Sequence, residues 1–184
     1  MFKILFSLYF SRRASAFRAF RQQIGLKGTP PVGTKMRDDI DILCCGIPET
    51  DYPCVLPSNF HCVGPMTLDT IPLAQADPDL RKWLDRGKTV VVSLGSHIVY
   101  SEEMVNAFLQ AFLTSLPKNV QILWKLKGKQ QWDALIESTL GVEDRTRFRI
   151  VDWIVADPIT IMLHHNVICY VHHGGANTLL ECCL

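Results

Sequence analysis

The chain has 184 residues, 48% of them apolar, with 19 basic and 18 acidic side chains and a formal net charge of +1. That balance carries no basic excess and so excludes an electrostatic case for a nucleic-acid partner; the apolar fraction describes an ordinary globular protein of one domain, or the halves of two. Seven cysteines, with two adjacent pairs (Cys44-Cys45 and Cys182-Cys183) and no C-x-x-C, signal neither a disulfide framework nor a zinc ribbon. They read as reduced thiols of a cytoplasmic compartment.

The opening MFKILFSLYFSRRASAF places Lys3 before a short apolar run. A secretory signal needs a longer apolar core and a small-residue cleavage site, whereas arginines follow this run. The better expectation is a helix continuing through AFRAFRQQIGL, with Phe17, Phe20 and Ile24 three and four residues apart on one face. No stretch approaches the ~18 apolar residues of a membrane span.

Between about residues 28 and 80 prolines and glycines dominate, in KGTPPVGTK, GIPETDYPCVLPSNF and VGPMTLDTIPLAQADPDL. Prolines at that density block continuous helix, so this part reads as a connector holding two brief strands, DILCC and FHCVG. A domain boundary is expected near residue 77, with residues 1–77 on one side and 78–184 on the other.

From Thr89 the pattern is regular. TVVVSL is a buried-strand run ending at Gly95, and Ser101 followed by Glu102 and Glu103 is an N-cap with an acidic first turn. The helix behind it carries a stripe of Met104, Val105, Phe108, Leu109 and Phe112. VQILWKL is a second strand and QQWDALIESTL a second helix, with Gly141 expected as its C-terminal cap. RFRIVDW is a third strand, DPITIML a short helix, VICYV a fourth strand, and GANTLLECCL begins a last helix. Four strand-helix alternations predict the α/β class: a doubly wound, Rossmann-like parallel sheet with helices on both faces. In the common strand order, residues 89–94 and 167–171 lie side by side at the topological switch point. Their exits, GSH and HHGGANT, then share the crevice in which such sheets bind ligands.

The residues of that crevice suit an anion. Gly174 and Gly175 allow a sharp turn and a close approach of backbone to ligand, and the first N–H groups of the following helix have no helical partner. Asn177 and Thr178 add short donors, His173 donates a hydrogen bond or carries charge, and Ser96 closes the site from the first strand. The alternative is a strand-to-helix turn in which Asn177 or Thr178 serves only the backbone. A metal reading of His164, His165, His172 and His173 around Cys169 is disfavoured, because residues alternating along a strand face opposite ways and no zinc spacing occurs. His61 and His97 read as loop histidines.

HHGGANTLLE resembles the donor-nucleotide signature of UDP-dependent glycosyltransferases, and VVVSLGS resembles the strand and Gly-Ser turn that opens their C-terminal domain. DILCCGIPETDYPCVLPSNFHCVGPM is similar to their interdomain approach, which ends in Val-Gly-Pro. The resemblance runs from about residue 12 to the end. It implies a partial GT-B fold, with the end of an N-terminal domain and a connector in 1–77 and part of a nucleotide-sugar-binding domain in 78–184. It further implies that His173 and Ser96 contact the diphosphate, that Gly174 and Gly175 shape the turn, that Asn177 and Thr178 bind phosphate oxygens, and that Glu181 accepts from ribose hydroxyls. The donor substrate would be a UDP-sugar with no cofactor and no metal, and the acceptor a lipid or small molecule.

The sequence departs from the family in two places. Trp153 and His164 are kept, but Val155 and Ala156 stand where Pro-Gln is usual, and Trp153 lies two residues farther from His164. Trp153 is therefore left between stacking on uracil and serving as a buried strand-end tryptophan. The catalytic histidine of the family belongs to an N-terminal region not matched here, and the Gly-x-Pro strand and acidic-Gln pair that hold the donor sugar are not matched either. The expectation is a fragment of a longer enzyme whose reaction transfers a hexosyl group from UDP to a hydroxyl with inversion, or else a non-catalytic piece that at most binds UDP. Membrane association is left open for the longer family member, and VICYV is expected to be an apolar sheet edge through which the chain self-associates.

Overall fold

Apolar runs and their crossovers decide the architecture, seen here in a computed structural model that describes residues 11–28, 40–50, 53–67 and 69–183. The apolar run at residues 1–10 and most of KGTPPVGTK lie outside the described residues. No helix among the described residues is long and apolar enough to cross a membrane. The chain divides into two units, Met1–Ile42 with Leu56–His61 and Leu43–Val55 with Cys62–Leu184.

In the first unit a helix spans Arg12–Gln23, and the Ser11 hydroxyl caps it by accepting from the Ala14 N–H at 3.2 Å. Phe17, Phe20 and Ile24 are each about half exposed. The division between the units runs through a two-stranded sheet, β1 (Ile42–Cys44) and β2 (Phe60–Cys62). These are the two brief strands expected in the proline-rich region.

The second unit holds a four-stranded parallel sheet of β3 (Thr89–Ser93), β4 (Gln121–Lys125), β5 (Phe148–Val151) and β6 (Val167–His172) in the order β5-β4-β3-β6. Parallel neighbours need crossovers, and helices Glu102–Ser115, Asp133–Thr139 and Pro158–Met162 supply them. Side chains alternate across a strand, so each strand feeds two cores. Val90, Val92, Ile122 and Trp124 meet Val105, Leu109 and Phe112 of the long helix on one face. Val91 and Leu123 meet Leu80, Trp83 and Leu84 of helix Pro78–Leu84, together with Ile161, on the other. Helices on both faces of a parallel sheet are the doubly wound arrangement, and continuous burial of TVVVS follows from it.

The Ser101 cap falls where the sequence places it, and a second cap, at Asp157, was not read from the sequence. Ser101 accepts from the Met104 N–H at 3.3 Å, and Asp157 caps helix Pro158–Met162 by accepting from Ile159 at 2.9 Å. Gly141 is a correction. Helix Asp133–Thr139 ends through Leu140 in extended conformation, and Gly141 (φ −62°, ψ 161°) leads into the turn Val142–Arg145 without any left-handed residue. Leu140 is buried in the core on the long-helix side, which draws the chain inward in extended conformation before a glycine cap is required.

Candidate functional site

Strand register assembles the site. Ser93 pairs with His172, so the next residues of each strand, Leu94-Gly95-Ser96 and His173-Gly174-Gly175, leave the sheet side by side at its C-terminal edge. This is the crevice of the topological switch point, and β3 and β6 are neighbours as the common order requires.

Backbone conformation favours glycine at two places here, and the seat of the His173 ring favours it at a third. Gly95 and Gly174 have φ of 84° and 77°, in the left-handed region. Gly175 is extended, but a β-carbon on it would meet His173 Nε2 at 2.5 Å, and one on Gly95 would meet His173 Cε1 at 2.8 Å. The His173 ring therefore rests between two glycines from the two loops, exposed to the crevice. His172 is engaged locally instead, its Nδ1 accepting from the Gly174 N–H at 3.2 Å. Ser96 is exposed, and its carbonyl accepts from Lys127 Nζ at 2.8 Å.

Helix Ala176–Cys182 starts at Gly175 with no side-chain cap. The side chains of Asn177 and Thr178 make no hydrogen bond with a described residue, so the alternative in which they serve the backbone is not what this turn does. Asn177 and Glu181, one turn apart, line a cavity of about 260 Å³ with Leu180, Asp157 and Ile159. Burial raises the pKa of Glu181 above its usual 4.5, and the nearby Asp157 charge raises it further. Ser96, His173, Gly174, Gly175, Asn177, Thr178 and Glu181 thus all lie on the two adjoining loops or the helix that follows them.

Trp153 is placed differently. It follows β5, two strands away from β3, and is 57% exposed, so it is not the buried strand-end tryptophan. Its ring carries the Lys125 ammonium 4.5 Å from the centroid, a cation–π contact. Lys125 and Trp153 line a cavity of about 270 Å³ with Ser93, Asp157 and Tyr170. Burial pulls the Lys125 pKa below its usual value. Lys125 and Lys127 were not singled out from sequence; two lysines in the exit of a strand are a legible signal only once that strand is known to end at the crevice.

The histidines divide between the two ends of β6. His164 and His165 precede the strand and His172 and His173 end it, a separation of about 20 Å. Among the described residues, His164, His165 and Asp85 bring their ligand atoms within 4.8 Å of one another. The buried His164 accepts from the Asn166 N–H at Nδ1, which leaves Nε2 to donate to Asp85 at 3.1 Å. Both Asp85 oxygens also accept from Arg81 Nε at 3.0 Å. Although burial opposes it, these hydrogen bonds and the charges beside them hold Asp85 below its usual pKa. The arrangement ties helix Pro78–Leu84 to the approach of β6.

Residues 3–184 match the family model described as UDP-glucoronosyl and UDP-glucosyl transferase. The chain is 34% identical over 180 residues to glycosyltransferase sdnJ of Sordaria araneosa, covering 92% of this chain and 35% of that protein. It is 26% identical over 129 residues to the 2-hydroxyacylsphingosine 1-beta-galactosyltransferase of Rattus norvegicus, covering 68% of this chain and 21% of that protein. A solved UDP-glucosyltransferase from Polygonum tinctorium, in complex with 3,4-dichloroaniline, aligns at 23% identity and TM-score 0.49, over 67% of this chain and 26% of its own. The chain thus spans about a third of the first relative's length and a smaller share of the second's.

Proposed function

The chain belongs to the UDP-glucuronosyl and UDP-glucosyl transferase family, and on that premise we propose that the crevice at the exits of β3 and β6 binds the UDP moiety of a UDP-sugar donor. The observation that carries this reading is the seating of His173 between Gly95 and Gly175, which aims a donor into the crevice beside Ser96. A diphosphate there is met by His173, Ser96, Asn177, Thr178 and the first N–H groups of the helix that follows Gly175. Glu181, lining the same cavity as Asn177, accepts from the ribose hydroxyls. Trp153 offers an exposed indole face to the uracil once Lys125 moves from it.

The reaction this donor site serves is transfer of a hexosyl group from the UDP-sugar to an acceptor hydroxyl with inversion. A base must take the hydroxyl proton as the acceptor oxygen attacks the anomeric carbon and UDP leaves. None of the residues above is assigned that role, so donor binding is proposed of this chain and transfer of the whole protein to which it corresponds. Residues 78–184 are taken as the donor-binding part, with residues 1–77 leading into it. No cofactor enters this chemistry, and the acceptor is a lipid or small molecule; the rat relative is named for an acylsphingosine.

Titration calorimetry with UDP is the test. The wild-type chain should bind, and His173→Ala should lose on the order of 1.5–3 kcal/mol, the worth of a hydrogen bond to a charged group. Absence of UDP binding by the wild type would sink the reading, and equal affinities would remove His173 from it.

A further inference from the structure

The last residue of β4, Lys125, and the loop that follows it, with Lys127, carry two ammonium groups beside the exit of β3. Lys127 Nζ donates to the Ser96 carbonyl at 2.8 Å, and Lys125 Nζ lies over the Trp153 ring. Neither forms an ion pair with a carboxylate among the described residues. Asp152, which follows β5, is turned instead to the Gly128 and Lys129 N–H groups, accepting at 2.6 and 3.3 Å. β4 lies beside β3, so its exit forms one wall of the crevice whose other walls hold Ser96 and His173.

A cation placed in a cleft without a counter-ion, one of the two partly withdrawn from water, raises the local potential toward anions. The residues assigned above to the diphosphate are neutral donors apart from His173 when protonated, whereas a nucleoside diphosphate carries more than one negative charge. We infer that Lys125 and Lys127 supply the fixed positive charge that neutralises the diphosphate. Lys127 also holds the Ser96 turn in place through its carbonyl. The inference rests on the crevice being the donor site, but it concerns the charge of the ligand and not its base.

Calorimetry on the full chain with three probes, UDP, inorganic pyrophosphate and uridine, at low and high salt separates the parts. Lys127→Met and Lys125→Met should each weaken pyrophosphate about tenfold, the lower end for a charge-assisted contact, and Lys127→Met, which leaves the Trp153 face untouched, should weaken UDP as much and leave uridine unchanged. The double variant should show a flatter salt dependence than the wild type. Lys127→Arg should keep most of the affinity, which a role confined to packing would not require. Wild-type affinity for UDP and pyrophosphate in the double variant overturns the inference. So does a wild-type pyrophosphate affinity insensitive to salt, a result that needs no variant to fold. Pyrophosphate bound through the lysines without any uridine binding would uphold the charge assignment and refute the nucleoside reading. A wild type that binds neither pyrophosphate nor UDP refutes both.

Discussion

The imidazole of His173 lies against Gly95, so close that a β-carbon on Gly95 would stand 2.8 Å from its Cε1. Two loops 78 residues apart in sequence (173 less 95) therefore share one contact, set by the parallel pairing of β3 with β6. A left-handed backbone, open to glycine without strain, and a ring position that a β-carbon would block coincide at this residue, whose φ is 84°.

Gly95→Ala is expected to cost about 1–3 kcal/mol, the range for a residue forced into a sparsely populated backbone region. It should also displace His173, so UDP affinity should fall about as far as in His173→Ala. Urea denaturation and calorimetry on the same variant check the two effects. A variant that loses stability while binding UDP with wild-type affinity would show that the ring position is not what binds.

Glu181 trades stability for its place in the cavity. Burial and the Asp157 charge raise its folded pKa above the unfolded value. The sign follows from proton linkage: the folded chain binds the proton more tightly, so the contribution is full below the unfolded value of 4.5 and is lost as pH rises through the raised folded value. Glu181→Gln should therefore be more stable than wild type at neutral pH, with the difference shrinking at pH about 4. The same variant should bind UDP more weakly through loss of a charged acceptor for the ribose. Thermal melts at the two pH values and a UDP titration test it, and a variant less stable than wild type at neutral pH would contradict the assignment of strain.

β6 has a neighbour on one side only among the described residues. Ile168 is 52% exposed and Cys169 is exposed beside it, along a groove of about 320 Å³ that also includes Met162, Leu163 and Cys182. Unpaired strand backbone flanked by apolar side chains pairs with other chains, and an interior lysine blocks such pairing. Size-exclusion chromatography over a range of concentrations should show self-association of the wild-type chain and less of it in Cys169→Lys. Elution as a monomer at every concentration would show that this edge is not used.

Residue order alone determined the local structure of residues 89–183, because periodicity and capping are written within a few neighbouring residues. The apolar run TVVVS, the Ser101 cap and the stripe from Met104 to Phe112 were legible for that reason, and the glycine-rich loops followed once β3 and β6 were placed at the switch point. What only tertiary structure decided depends on register and packing between distant segments. The pairing of Ser93 with His172 brings His173 onto Gly95, and the order of the sheet sets Lys125 over the Trp153 ring and Lys127 against Ser96. His164 finds Asp85 across 79 positions of sequence. Gly141 was misread because a local signal for a helix end was overridden by burial of Leu140 in the core. Local free energies are encoded residue by residue, whereas a contact between distant segments exists only after both have packed on the same sheet.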